Sequence, residues 1–282
     1  MKKYYLKSYA KINLALNIVA KREDDYHELD MVMLPLELHD NCIIEKNTAR
    51  DNFVTIDEYS SEAVKHNTVS AVIEKLKQYG LKDIIKVFIH KVIPMRSGLG
   101  GGSSNAAFVL KAINEFCNLN LTKEQLIEIS LSVGADVPFF IDCKPCRAQG
   151  LGEILTPITV KNNYYVLIVK PNQGLSTKKV FSLADEINIK CANIEKVIEG
   201  LETGNDELIC ENIGNALETP AISLLPEIDE IKRVLHGFGA KIVQMTGSGS
   251  AVFAMSTDLK LLKKIERNIE DKYIVELTKI LK

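Results

Sequence analysis

Between an alternating stretch and a helical one, the chain reads Ser97-Gly98-Leu99-Gly100-Gly101-Gly102-Ser103-Ser104-Asn105. Four glycines in the five positions from Gly98 free the backbone to approach a ligand and admit positive φ. The first amides of the following helix point outward without partners, and its dipole favours an anion there. Ser103 and Ser104 add hydroxyls that can reach phosphate oxygens or a metal. The chemistry this predicts is phosphate binding. A flexible turn is the alternative, but a turn seldom needs so many glycines followed by two serines and a helix. The loop fits neither familiar class. A Walker A loop requires Lys where Ser103 stands, and a dinucleotide fingerprint counted from Gly98 requires Gly at that same position.

Other groups are candidates with a bland reading beside the chemical one. Asp136, in Gly134-Ala135-Asp136-Val137-Pro138, follows a helix end, where a carboxylate read alone is a helix cap and in company is a proton acceptor. Lys11 alone reads as a solvated edge lysine, although Asn13 on the same strand face favours a polar site. Tyr26-His27, after Glu23-Asp24-Asp25, is either a surface pair or an aromatic that stacks on a planar ligand beside an imidazole that bonds its edge. Cys143 and Cys146 have the spacing of half a zinc site, but no second pair accompanies them. They read as incidental cysteines in a hairpin turn.

These groups need elements to hold them. Ala10, Ile12, Leu14, Leu16 and Ile18 alternate with Tyr9, Lys11, Asn13 and Asn17, which predicts a strand over 9–20 with one buried face. Asn67 followed by Val69, Val72, Ile73 and Leu76 predicts a capped helix ending at Gly80. Ile85, Val87, Ile89 and Ile93 predict a strand running into Pro94, and Ala106, Leu110, Ile113 and Cys117 the helix after the glycine loop. Thr122 and Gln125 form a capping box for a helix that Gly134 can end, and Pro138 suits the first turn of a short element. Further on we expect a strand at 164–169, a helix at 224–238, and two strands, 241–245 and 251–255, joined by Thr246-Gly247-Ser248-Gly249-Ser250. A domain change falls near 157–163, giving domains 1–157 and 158–282.

Composition narrows the class. The 282 residues carry 35 Lys+Arg against 37 Asp+Glu and are 46% hydrophobic, which excludes a disordered or fibrous chain and argues against a general nucleic-acid binder. Lys7 and Lys11 interrupt any apolar signal core, and the longest charge-free stretch, 242–257, is too rich in Ser, Thr and Gly for a membrane span. Six cysteines (42, 117, 143, 146, 191 and 210) without an export signal are expected as reduced thiols in the cytoplasm.

Pro94-Met95-Arg96-Ser97-Gly98-Leu99-Gly100-Gly101-Gly102-Ser103-Ser104-Asn105-Ala106-Ala107 resembles the phosphate loop of the GHMP kinases, the galacto-, homoserine, mevalonate and phosphomevalonate kinases. Ala10-Lys11-Ile12-Asn13-Leu14, Asp25-Tyr26-His27-Glu28-Leu29, Gly134-Ala135-Asp136-Val137-Pro138-Phe139-Phe140, Gln149-Gly150-Leu151-Gly152-Glu153 and Met245-Thr246-Gly247-Ser248-Gly249-Ser250 follow in the family order over essentially the whole chain. They narrow the resemblance to the branch that acts on 4-diphosphocytidyl-2-C-methyl-D-erythritol, in the non-mevalonate isoprenoid pathway. Arg96 departs from the small residues the family commonly has there.

The resemblance implies an α+β fold of two domains, the N-terminal one similar to domain 2 of ribosomal protein S5 and the C-terminal one ferredoxin-like. It implies an ATP-dependent phosphoryl transfer to the 2-hydroxyl of the methylerythritol unit. Pro94 to Ser104 would bind ATP, Asp136 would accept the hydroxyl proton and Lys11 would support it. Tyr26 and Phe181 would sandwich the cytosine, His27 would bond its edge, and Asn13 would touch the polyol or its phosphates. Mg²⁺ accompanies ATP, with no protein ligand assigned. The expected partners are these small molecules alone, without nucleic acid or membrane, on a monomer or weak homodimer. A GHMP kinase for a smaller alcohol has no need of Tyr26-His27, and a non-catalytic sensor has no need of Lys11 with Asp136.

Overall fold

The structure, a computed structural model, describes residues 3–47, 51–56, 67–185 and 192–282. Contacts divide the chain into two compact units, neither continuous in sequence. One comprises Met1–Ala10, His39–Ile93 and Gly100–Cys143, and the other Lys11–Leu38, Pro94–Leu99 and Lys144–Lys282. The long strands β1 (Lys3–Lys21) and β2 (His27–Asn47) supply residues to both.

In the first unit the end of β2 pairs antiparallel with β4 (Ile84–His90), with Cys42 opposite Ile89 and Ile44 opposite Val87. β4 pairs in parallel with β3 (Phe53–Ile56). The alternation of Ile85, Val87 and Ile89 buries one face of β4, as expected. The strand stops at His90 rather than reaching Ile93, because the Asp40 carboxylate takes the amides of Val92 and Ile93, each at 2.8 Å. Asp40 is fully buried and also pairs with Lys91, so both its charge and its lone pairs are satisfied.

Helix α1 (Thr68–Gln78) starts at Asn67, whose side chain accepts from the Ser70 amide, and buries Val69, Val72, Ile73 and Leu76. It packs on α2 (Gly101–Phe116), which buries Ala106, Val109, Leu110 and Ile113. The helix begins ahead of the apolar pattern, so that Ser103 and Ser104 lie inside its first turns. Gly100, at φ 71°, ends the loop, and its carbonyl accepts the Ser104 amide at 2.8 Å. The Thr122–Gln125 capping box opens α3 (Lys123–Leu131), which is capped at Ser132, short of Gly134. Pro138 is the N-cap of α4 (Phe139–Asp142).

In the second unit the first half of β2 pairs with β5 (Cys146–Gly150), which pairs with β6 (Ile154–Pro157). Then follow β7 (Tyr165–Lys170), α5 (Thr177–Ala184), α6 (Ile194–Thr203), α7 (Asp206–Asn212), α8 (Glu218–Leu224), α9 (Glu227–Gly237), β8 (Ile242–Met245), β9 (Val252–Ser256), α10 (Leu259–Glu266) and β10 (Ile274–Lys279). These four strands form an antiparallel sheet in the order β10-β7-β9-β8. Strand, helices, two strands, helix and strand in that order is the ferredoxin-like arrangement. The protein is an α+β chain.

The helix expected over 224–238 is α9 (Glu227–Gly237), which starts three residues late, after its N-cap Pro226. Pro226 has no amide to donate, and the chain breaks at Leu225 before α9 begins. Among the described residues no helix is long and apolar enough to cross a membrane.

Candidate active site

The β8–β9 loop, 246–251, closes on the first half of the glycine loop. The Ala251 amide donates to the Ser97 carbonyl at 3.1 Å, and the Thr246 hydroxyl donates to the Gly98 carbonyl at 3.4 Å. Gly98 has φ 80°, and a Cβ there would lie 2.0 Å from the Thr246 carbonyl oxygen. Only glycine permits this approach. The same Thr246 hydroxyl accepts the Asn13 amide at 3.0 Å, and the Lys11 amide donates to Leu99 at 3.0 Å.

The face of β1 that the alternation leaves to solvent is therefore covered. Lys11 is 3% exposed and Asn13 1%, and every residue from Ala10 to Leu16 is buried. Reading Lys11 by itself as a solvated edge lysine is corrected: both faces of the strand are inside. The Lys11 ammonium donates to the Asn13 side-chain oxygen at 2.5 Å, and the Asn13 amide nitrogen lies 3.3 Å from the Met31 sulfur.

Residues that sequence reasoning passed over hold the β8–β9 loop. Asn215 donates to the carbonyls of Met245 and Gly247, both at 2.8 Å, and accepts from the Leu217 amide. Glu218 accepts the Met245 amide at 3.0 Å and pairs with Lys232. The residues flanking Asn215 bond to Leu16 of β1, which ties loop and strand together. Their only sequence signal is a polar pair at i, i+3 entering a helix, common enough to carry no function alone.

The second half of the glycine loop belongs to the first unit. A Cβ on Gly101 would crowd Lys91 Nζ at 3.0 Å and Ile93 Cγ2 at 3.1 Å, whereas one on Gly102 would meet only Thr68 Oγ1 at 3.7 Å. Ser104 Oγ is buried with no hydrogen-bond partner among the described residues. A buried orphan hydroxyl in the first turns of a glycine-led helix has a hydrogen left to donate to a bound anion. No three His, Cys, Asp or Glu side chains among the described residues gather into a metal-binding group. Asp136 is half-buried in the turn before α4, whose N-cap is Pro138.

In the second unit Tyr26 is 60% exposed at the start of β2, and His27 is 9% exposed. The His27 ring lies against Phe181 of α5, centroids 4.9 Å apart and planes at 31°. Its Nε2 is 2.6 Å from Asp185 Oδ1, at the end of α5, and Lys21 Nζ is 2.8 Å from the other oxygen. The structure thus joins His27 to Phe181 and leaves the Tyr26 ring in solvent. Arg96, left open by the sequence between solvent and phosphate, has φ 52° and packs on Gly174. With Gln173, Ser176 and Lys179 it lines a cavity of about 470 Å³.

Cys143 and Cys146 are buried thiols outside any disulfide, and burial pushes the Cys143 thiol up to about 12. Cys42, Cys117 and Cys210 are also free thiols, and Cys191 lies outside the described residues.

Residues 67–143 match the model of the GHMP kinases N terminal domain, and residues 197–275 that of the GHMP kinases C terminal domain. The 4-diphosphocytidyl-2-C-methyl-D-erythritol kinase of Clostridium perfringens (strain 13 / Type A) is 36% identical over 95% of this chain and 94% of its own. The enzyme of the same name from Caldicellulosiruptor bescii is 38% identical over 93% of each. Among solved structures, a 4-(cytidine 5'-diphospho)-2C-methyl-D-erythritol kinase superposes with a TM-score of 0.81 at 26% identity, covering 98% of this chain and 99% of its own.

Proposed function

Because the chain belongs to the GHMP kinase family, we propose that it is an ATP-dependent kinase for the 2-hydroxyl of 4-diphosphocytidyl-2-C-methyl-D-erythritol, in the non-mevalonate route to isoprenoid precursors. The observation that carries the substrate choice is the Tyr26–His27–Phe181 group: one exposed ring beside an imidazole and a second ring held in place. A kinase for mevalonate or homoserine has no base to clamp.

Phosphoryl transfer is positioning and charge neutralisation, because its transition state is loose and anionic. We assign Pro94 to Ser104 to ATP, with the α2 amides on the phosphates and the buried Ser104 hydroxyl on a phosphate oxygen or its Mg²⁺. Mg²⁺ neutralises charge on the phosphates it accompanies. Asp136 orients the substrate hydroxyl and accepts its proton, late in the transfer. Lys11 steadies the negative charge that develops. Asn13 touches the polyol or its phosphates, Tyr26 and Phe181 stack on the two faces of cytosine, and His27 bonds its edge.

As sequence domains we assign 1–157 and 158–282, with one family model on either side of that boundary, although the two compact units interleave along the chain. The enzyme acts in the cytoplasm as a monomer or weak homodimer, without nucleic-acid or membrane partners. The test is a coupled ADP-release assay with the cytidyl substrate beside mevalonate and homoserine. Turnover of the cytidyl substrate alone is expected, and turnover of either smaller alcohol in its place overturns the assignment.

A further inference from the structure

We propose that Asp185 selects the base: it is a positioning residue that commits the His27 imidazole to one tautomer, so that the ring edge accepts the 4-amino group of cytosine and repels the 4-oxo group of uracil. The inference rests on the cytidyl reading above and adds to it a residue outside the clamp itself.

The geometry makes Asp185 the acceptor. His27 is almost wholly buried, and its ring is fixed against Phe181 on one side. Its Nε2 stands 2.6 Å from Asp185 Oδ1, and Lys21 Nζ occupies Oδ2 at 2.8 Å. Lys21 first and His27 second hold the Asp185 carboxyl below the usual range, so it is an ionised group that can only accept. The hydrogen between the two must therefore sit on Nε2. With a single proton on the ring, Nδ1 then presents a lone pair; a second proton would make that edge a donor. A lone pair at that edge takes the hydrogen of an exocyclic amine and meets a carbonyl lone pair to lone pair. A site built to bond one polar edge rejects the analogue that cannot supply it far more strongly than a stacking face can. Without the carboxylate the proton is free to move to Nδ1, which turns the edge into a donor suited to uracil. Asp185 and Phe181 lie on successive turns of one helix, so α5 delivers both the stacking ring and the group that orients the imidazole.

Two readouts test this. Long-range proton–nitrogen spectra of the imidazoles, with His27 assigned by its loss in His27→Gln, report the tautomer without any substrate. The wild type should show Nε2–H, and Asp185→Leu a mixture. In kinetics, the ratio of kcat/KM for the cytidyl substrate over its uridyl analogue should fall about tenfold or more in Asp185→Leu. Asp185→Asn, whose side-chain carbonyl still accepts from Nε2–H, should keep most of it, and so should Lys21→Met, which leaves the carboxylate in place. An Nδ1–H tautomer or a doubly protonated ring in the wild type at the assay pH, or an unchanged ratio in folded Asp185→Leu, overturns the proposal. If the Leu variant does not fold, a collapsed ratio in Asp185→Asn or the wrong wild-type tautomer overturns it instead. A wild type that turns over no cytidyl substrate overturns the functional reading and base selection with it; the tautomer spectrum separates that failure from an error in the Asp185 geometry.

Discussion

Gly98 and Gly102 stand in one loop for different physical reasons, and alanine at each separates them. At Gly98 the backbone is left-handed, which costs a non-glycine residue about 1–2 kcal/mol. The new Cβ would also lie 2.0 Å from the Thr246 carbonyl oxygen and 3.3 Å from the Gly249 nitrogen, backbone atoms that no rotamer change can move. Overpacking of this kind costs about 1–3 kcal/mol, so Gly98→Ala should destabilise the protein by about 2–5 kcal/mol. The shift also pulls at Thr246, which holds the Asn13 amide. At Gly102 the only neighbour of a Cβ is Thr68 Oγ1 at 3.7 Å, an ordinary contact, and the residue is helical. Gly102→Ala should therefore leave stability unchanged or raise it by about 0.5–1 kcal/mol. If the phosphates of ATP approach the backbone there, the added methyl should still weaken ATP about tenfold or more, the equivalent of about 1.4 kcal/mol. Denaturant melts and calorimetric titration with ATP read the two effects separately. Wild-type ATP affinity in Gly102→Ala would refute the phosphate assignment of α2, and a wild-type melt of Gly98→Ala would refute the contact with Thr246. Gly101 is a poorer probe, since Gly101→Val would collide with Ile93 and Lys91 whether or not ATP binds there.

Asp136→Asn keeps size and most hydrogen bonding, and kcat should fall about 10²-fold or more with little change in KM; near-normal turnover in a folded variant removes Asp136 from proton transfer. Tyr26→Ala should cost about 1–3 kcal/mol of cytidyl-substrate binding, seen in the KM for that substrate and not in the KM for ATP, and an effect on ATP instead would reverse the two pockets. Asp40→Ala leaves the Lys91 cation and the amides of Val92 and Ile93 without their carboxylate, so a denaturant melt should show a loss of about 3–5 kcal/mol, and a loss under about 1 kcal/mol would contradict the buried pair.

What was legible in the sequence was what local period and local capping control. The alternation of β4, the Asn67 cap of α1 and the Thr122–Gln125 box each depend on residues within one turn or one strand, and each is found. The candidate residues were legible too, but through motif resemblance rather than through any property visible at the position itself. Burial of Lys11 and Asn13 was not readable from alternation, because the covering group, Thr246, is 233 positions further along the chain. Asp185 was missed for the same reason, since the imidazole it orients is 158 positions away. Nor did apolar periodicity reveal Asn215 or Glu218, whose work is to satisfy backbone groups of a distant loop. Where a single chain property overrides period, as at Pro226, the helix starts later than the apolar pattern does.

The central claim is that the γ-phosphoryl of ATP reaches the 2-hydroxyl of the cytidyl substrate. Phosphorus NMR of the reaction mixture tests it directly. One new phosphomonoester resonance should grow in step with ADP, coupled to the methylerythritol carbon C2, while the cytidyl diphosphate signals persist. ATP hydrolysis without that resonance, or a phosphomonoester on another hydroxyl, would contradict it.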